Sequence, residues 1–353
     1  MTDGLIKPRP AVTGLEAYDP QHTEVEINLS ANENAYGLPD DVRAKLAGLA
    51  ETLAFNRYPD PNAVELRRVV AARHGVAPEN VAVGNGGDEL IQALLLAYGG
   101  AGRTAVAFGP TFVMYGILAD VTATVFAGLS RDARFDIPAD AAAAAEAAGG
   151  DIVFACSPNN PTGNTIDEEA ARALAGDVDG LVVIDEAYQE FSETTTVGLL
   201  GDNRNVAVLR TFSKAFSLAG LRVGYLLADA EVIENINKVR LPYNVNVFSQ
   251  AAAAALMAEP GPLEGIIAEI VRERGRLERV LAGLGGYTTY PSAANFLLVR
   301  CGRPADKVWR GLIDAGILVR NLSSVSGLDG CLRITVGTPA QNDSVIEALG
   351  RLA

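Results

Sequence analysis

Through the first two thirds of the chain, short apolar runs alternate with amphipathic stretches, and no other feature restricts the fold as strongly. The runs at 81–83, 104–108, 151–155, 181–184, 206–210 and 223–227 are rich in Val, Ile, Leu and Ala without intervening polar residues. Such runs read as strands covered on both faces. Between them, helices are expected to begin near Pro39, Asn62, Gly87, Phe112, Asp167 and Glu231, several with Pro, Asp or Asn at the N-terminal end. Strand followed by helix in repetition builds a mostly parallel sheet, so an α/β fold is predicted.

Near Pro242 the texture changes. A helical stretch at 247–257 is followed, after Pro260-Gly261-Pro262, by a long charged amphipathic pattern at 263–284. The remainder offers short strands around Tyr287, 296–299, 317–320 and 331–336, with helices at 305–315 and 341–352. That is the pattern of a smaller α+β unit. The Ala-rich tracts at 139–148 and 251–255 also read as helix, because Ala is the best helix former. At 353 residues, against roughly 150 residues per domain, two units are expected.

Charge and composition exclude several classes. Lys plus Arg is 29 and Asp plus Glu is 43, a net charge of −14, which repels phosphate backbones and anionic lipid, so neither a nucleic acid nor a membrane is expected as partner. Three cysteines, at 156, 301 and 331, and two histidines, at 22 and 74, form neither a disulfide framework nor a zinc site, and no metal is expected. The N-terminus has no apolar segment like that of a signal peptide, and no apolar stretch reaches about 18 residues. A soluble, cytoplasmic protein is expected.

Five segments can carry chemistry. In Leu209-Arg-Thr-Phe-Ser-Lys-Ala-Phe-Ser-Leu-Ala-Gly-Leu-Arg-Val-Gly-Tyr225, Lys214 directly follows a strand among apolar residues. Desolvation there lowers an amine's pKa, the condition a Schiff-base lysine needs. Ser213 and Arg222 can face a phosphate nearby. In Val182-Val-Ile-Asp-Glu-Ala-Tyr188 an apolar strand ends in an acid, at the edge where open α/β sheets bind ligands. Asp185 there suits a protonated ring nitrogen and Tyr188 a ring oxygen, although a helix cap and a core Tyr fit the same residues.

Ala155-Cys-Ser-Pro-Asn-Asn-Pro-Thr-Gly163 is a constrained turn after another strand, and Asn159 and Asn160 supply amides at that edge. Val83-Gly-Asn-Gly-Gly-Asp-Glu-Leu-Ile91 is a Gly-rich turn into a helix whose N–H groups can cradle phosphate. It is neither a dinucleotide fingerprint nor a P-loop. Phe112, after Gly109-Pro110, can stack on a flat ring or belong to the core. In Gly330-Cys-Leu-Arg-Ile-Thr-Val-Gly-Thr338, Arg333 stands on an apolar strand and seeks a carboxylate, from the protein or from a substrate. Arg320 is a second guanidinium in the same unit, and with Tyr58 can serve another anionic end.

In this order the segments resemble the fold-type-I pyridoxal-phosphate aminotransferases, in particular the histidinol-phosphate aminotransferase family. The resemblance runs from about Tyr18, through Asn28-Leu-Ser-Ala-Asn-Glu-Asn34 and Arg57-Tyr-Pro-Asp60, to Arg333. Its most specific pieces are Ser-Pro-Asn-Asn-Pro-Thr-Gly, Asp-Glu-Ala-Tyr and Ser-Lys-Ala-Phe-x-Leu-Ala-Gly-Leu-Arg-x-Gly. It implies an N-terminal arm at 1–30 joining the small domain, a large cofactor-binding domain at 31–245 with a mostly parallel sheet of the seven-stranded type, and a small domain at 246–353.

The same resemblance implies pyridoxal 5'-phosphate as cofactor, with Lys214 bonded to it and Asp185 paired with the pyridine nitrogen. Asn160 and Tyr188 would hydrogen-bond the ring's phenolic oxygen, and Phe112 would stack on its face, where Tyr is frequent. Gly87, Asp88, Ser213 and Arg222 would surround the phosphate, with Tyr58 reaching it from the neighbouring subunit of a homodimer. Gly87 stands where Ser or Ala is common, so it can offer only its N–H. Arg333 would bind the carboxylate of glutamate or 2-oxoglutarate and Arg320 the phosphate of histidinol phosphate or imidazole-acetol phosphate, with Tyr18 and Asn34 lining the pocket. Ala35 stands where Pro is frequent, which changes no proposed role. An aromatic amino-acid aminotransferase and a threonine-phosphate decarboxylase share this scaffold. A regulator built on the same fold would carry an added basic DNA-binding domain, which the charge and short arm do not provide.

Overall fold

The computed structural model describes residues 6–15, 17 and 23–353. Elements run α1 (Pro10–Thr13), β1 (Ile27–Leu29), α2 (Asp40–Thr52), α3 (Val64–His74), β2 (Val81–Gly84), α4 (Gly87–Tyr98), β3 (Thr104–Gly109), α5 (Met114–Thr122), β4 (Val125–Ser130), α6 (Ala141–Ala147), β5 (Ile152–Cys156), α7 (Glu168–Asp177), β6 (Leu181–Asp185), β7 (Val206–Thr211) and β8 (Gly224–Ala228). They continue with α8 (Ala230–Val239), α9 (Val247–Ala258), α10 (Gly261–Gly283), β9 (Tyr287–Thr289), β10 (Phe296–Cys301), α11 (Ala305–Asp314), β11 (Ile317–Asn321), β12 (Cys331–Thr335) and α12 (Pro339–Leu352).

Seven strands form one sheet in the order β2-β8-β7-β6-β5-β3-β4. Neighbours pair in parallel except β8, which is antiparallel to both β2 and β7. Alternate residues enter two different cores, as a sheet covered on both faces requires. Ile152, Phe154 and Cys156 pack with residues of α4, α5 and α8, whereas Val153 and Ala155 pack with residues of α2, α3, α6, α7 and α9. Side-chain caps fix several helix starts: Asp167 and Asp229 each accept a backbone N–H two residues on, and Thr338 forms a capping box with Gln341.

The second sheet runs β1-β11-β12-β10-β9. β1 pairs in parallel with β11, so a strand from before the large sheet completes the edge of this one. Helix α9 packs in the large sheet's core, and α10 passes from that core, at Leu263 and Ile270, into the second, at Leu277 and Leu281. We place the passage between the two units inside α10, further along than the texture change near Pro242 suggests.

Two strands carry little sequence signal. β1 has only three residues. β4 is an edge strand, largely exposed, so its Val-Phe-Ala-Gly-Leu-Ser lacks the density that marks its neighbours. Among the described residues no helix is long and apolar enough to cross a membrane.

Candidate active site

The directions of β2, β3, β5, β6 and β7 bring their carboxyl ends to one edge of the sheet, where ligands bind in folds of this kind. The turn after β2 opens α4 at Gly87, β5 leads into the Asn159-Asn160 turn, β6 ends at Asp185, and β7 leads to Ser213 and Lys214. The single reversed strand, β8, starts at that edge, and Arg222 lies just before it. A cavity of about 610 Å³ opens there, lined by residues of both sheets, among them Lys214, Asp185, Tyr188, Phe112, Arg320 and Arg333.

Each wall has a distinct chemistry. At one side α4 begins without a side-chain cap, so its first N–H groups, at Gly87 and Asp88, face the cavity edge with the positive end of the helix. Arg222 sits beside them, its Nη2 donating to Asp88 Oδ2 at 3.1 Å. Two glycines permit this packing. A Cβ on Gly224 would stand 2.7 Å from the backbone C of Gly86 and N of Gly87, and one on Gly86 would stand 2.6 Å from Arg222 Nη2.

Asp185, 3% exposed, accepts the Tyr115 hydroxyl at 2.6 Å on Oδ2 and the Ala187 N–H at 3.1 Å on Oδ1. Burial pushes its carboxyl up to about 6, against the opposing pull of the Tyr115 hydrogen bond. Lys214 Nζ donates to the Ala31 carbonyl at 3.1 Å and lies 5.9 Å from the centre of the Tyr188 ring. Burial first, then repulsion by Arg333, lowers its amine to about 8. The neutral base is thus within reach near neutral pH.

Tyr188 accepts a hydrogen bond from Asn32 Nδ2 at 3.0 Å, so its own hydroxyl proton remains to be donated. Burial pushes that hydroxyl's pKa upward. Asn160 uses its Oδ1 to accept Arg333 Nη1 at 2.6 Å, which leaves its amide N–H groups as donors. Arg333 also donates to the Ser30 carbonyl at 2.6 Å and stacks over Phe296. Arg320 stands directly opposite Arg333 in the β11–β12 register.

The structure thus brings together Gly87, Asp88, Phe112, Asn160, Asp185, Tyr188, Ser213, Lys214, Arg222, Arg320 and Arg333 around one cavity. Two expected residues are placed otherwise. Tyr58 is 82% exposed and stacks on Tyr243 at the surface, away from this chain's cavity. Asn34 is not among the cavity walls: its Oδ1 caps the Tyr36 N–H and its Nδ2 reaches the Ala215 carbonyl. Asn32, two residues earlier, takes the position facing the site, because its left-handed backbone (φ 55°) turns the chain after β1. Tyr18 lies outside the described residues.

The sequence pattern misses Asn32 and Tyr115. Asn32 is almost wholly buried, and its backbone is anchored by Thr335 and Asn295. The one available signal was a polar residue in an otherwise ordinary turn. Tyr115 reads as a core aromatic on a helix, and only the fold reveals the carboxylate at its hydroxyl.

The donor set suits pyridoxal phosphate: an uncapped helix start with Ser213 and Arg222 for a phosphate, a buried carboxylate for a ring nitrogen, an amine between them and the flat face of Phe112. Among the described residues no cluster of His, Cys, Asp or Glu is arranged to hold a metal ion.

Residues 24–349 match the model of the family described as aminotransferase class I and II. Histidinol-phosphate aminotransferase 1 of Carboxydothermus hydrogenoformans is 45% identical over 99% of this chain and 100% of its own length. The histidinol-phosphate aminotransferase of Gloeobacter violaceus is 44% identical over 98% of this chain and 97% of its own. Among solved structures, that of histidinol-phosphate aminotransferase from Sinorhizobium meliloti in complex with pyridoxal-5'-phosphate superposes with a TM-score of 0.90 at 26% identity, covering 100% of this chain and 99% of that one. The chain belongs to the class I and II aminotransferases and, within them, to the histidinol-phosphate aminotransferase family.

Proposed function

We propose that this aminotransferase uses pyridoxal 5'-phosphate to move an amino group between histidinol phosphate and 2-oxoglutarate, in the cytoplasm and as a homodimer. One observation carries the choice of substrates. Arg320 and Arg333 face one cavity from directly opposed positions on adjacent strands. Each can grip an anionic group brought in by the substrate that occupies the cavity in its turn: the phosphate of histidinol phosphate, or a carboxylate of glutamate or 2-oxoglutarate, either of which guanidinium binds bidentately.

Bound in this cavity, the cofactor would supply a conjugated ring that takes up the electron pair left when the substrate's α-carbon loses its proton. The protein's residues do the rest. Lys214, with its amine near pKa 8, takes that proton and delivers it again. Asp185, fixed by Tyr115 and the Ala187 N–H, holds a positive charge at the ring-nitrogen end. Tyr188 and Asn160 donate toward the ring oxygen, while the start of α4, Ser213 and Arg222 hold the phosphate. Because the two substrates use the same groups in turn, ping-pong kinetics are expected.

Arg320→Gln tests the substrate assignment. Losing one hydrogen-bonded ion pair costs about 1.5–3 kcal/mol, so KM for histidinol phosphate should rise between about tenfold and a hundredfold. KM for 2-oxoglutarate should change little. An equal rise for both substrates would remove Arg320 from the phosphate role. Supporting the dimer, Tyr58 is exposed with Phe55 and Leu241 close by in sequence to Tyr58 and Tyr243, and its role requires it to reach a neighbouring subunit's phosphate site. Sedimentation should therefore give twice the chain mass at assay concentrations; a fully active monomer would refute this.

A further inference from the structure

Asp185 has two acceptor oxygens, and the protein already occupies both. Oδ1 takes the Ala187 N–H, and Oδ2 takes the hydroxyl of Tyr115. The first donor is backbone and follows from the turn after β6. The second comes from a different element, α5, and from a side chain with no exposure to solvent. A tyrosine so deep in the core needs a hydrogen-bond partner. Asp185 is one whose charge matters for the reaction.

The ring of Tyr115 is held as firmly as its hydroxyl. It stacks parallel on Phe154 of β5, with centroids 4.6 Å apart and planes 5° from parallel. It also meets Phe112 edge to face at 5.6 Å and 87°. Phe112 forms the flat wall of the cavity and Asp185 its charged end. One side chain therefore touches both groups that a cofactor ring would meet. Burial and the neighbouring Asp185 push the phenol's pKa well up, so it remains a donor at working pH.

We propose that Tyr115 is a positioning residue for this reaction: its hydroxyl holds Asp185 in place as a carboxylate, and its ring fixes that carboxylate relative to the wall formed by Phe112. The proposal rests on the cofactor reading given above. Without the hydroxyl, a buried carboxylate loses a hydrogen bond that favours its charged form. Its hold on a protonated ring nitrogen then weakens. More electron density stays on the ring, and the chromophore keeps its proton to higher pH.

The test is Tyr115→Phe in the cofactor-loaded enzyme, read by titrating the cofactor's visible absorbance with pH. The midpoint should move up by about half a pH unit or more. kcat should fall between about tenfold and a hundredfold, the equivalent of one hydrogen bond to a charged group, with KM for either substrate changed less than about twofold. Phe154→Leu loosens the ring's seat while keeping the hydroxyl and should shift the midpoint in the same direction by less; it carries the test if Tyr115→Phe does not fold. A variant that melts lower but has the parent's midpoint and kcat would make Tyr115 purely structural and overturn the proposal. If the parent enzyme itself shows no visible absorbance on loading, the cofactor reading fails, and this inference with it. A normal parent spectrum beside an unshifted Tyr115→Phe spectrum sinks this inference alone.

Discussion

Lys214→Ala is expected to lower kcat by about three to four orders of magnitude. The loss is large because no second base stands in the same place. Among the described residues Lys214 is the one amine lining the cavity, and its surroundings hold it near pKa 8, where the neutral form is accessible. A general loss of fold would look similar in a rate assay, so stability provides the control. Between about pH 8 and 10.5 the folded protein binds this proton less readily than the unfolded chain. On this account stability rises with pH through that window and is reduced below it. Removing the ammonium at neutral pH therefore relieves a cost, and the cofactor-stripped variant should melt no lower than its parent. Small primary amines added to the assay should restore part of the rate. Activity within tenfold of the parent would sink the assignment.

Asp185→Asn is expected to cost between about two and four orders of magnitude in kcat while leaving the cofactor-free protein as stable as its parent or more so. The substitution keeps the shape and an acceptor for Tyr115; it removes the charge and turns an amide NH2 toward the Ala187 N–H in place of the second acceptor oxygen. Burial raises this carboxyl from 3.8 to about 6, so the folded state binds the proton more tightly than the unfolded chain. Its contribution to stability is therefore lost as pH rises from about 4 to 6 and stays lost above. At 1.36 kcal/mol per pKa unit, that is on the order of 2–3 kcal/mol at neutral pH. A neutral amide avoids the cost, and calorimetry at pH 7.5 checks it. A variant that loses both activity and several degrees of melting temperature would show that Asp185 is a structural acid. Together the two substitutions separate function from stability: both groups are held in a protonation environment that the fold alone does not favour.

Much of this arrangement is legible in the sequence because buried parallel strands are dense in apolar residues. The runs at 104–108, 181–184 and 206–210 lie within β3, β6 and β7, and Asp185 and Lys214 stand out as polar residues at their ends. The direction of β8 is not legible, since a buried antiparallel strand and a buried parallel one share the same composition. Edge strand β4 escapes for the opposite reason, its side chains being mostly exposed.

Residues that act through tertiary contact are the hardest to read. Tyr115 and Asp185 are 70 positions apart, and nothing near Tyr115 in sequence points to a carboxylate. Asn34 and Asn32 share one motif, and only the left-handed turn at Asn32 decides which of them faces the cavity. Tyr58 is exposed on its own chain, so the role proposed for it needs a second copy, which no single chain displays.

The most direct test of the central claim is the amino-donor preference of the purified, cofactor-loaded enzyme, read as glutamate formed from 2-oxoglutarate. A guanidinium at Arg320 placed to meet a phosphate predicts a clear preference, in kcat/KM, for histidinol phosphate over phenylalanine and tyrosine, and membership of the histidinol-phosphate aminotransferase family predicts the same preference over threonine phosphate, which carries a phosphate and a carboxylate together. A preference for phenylalanine, tyrosine or threonine phosphate would contradict the claim while leaving the fold and the Lys214 chemistry intact, and a preference for phenylalanine or tyrosine would also remove Arg320 from the phosphate role.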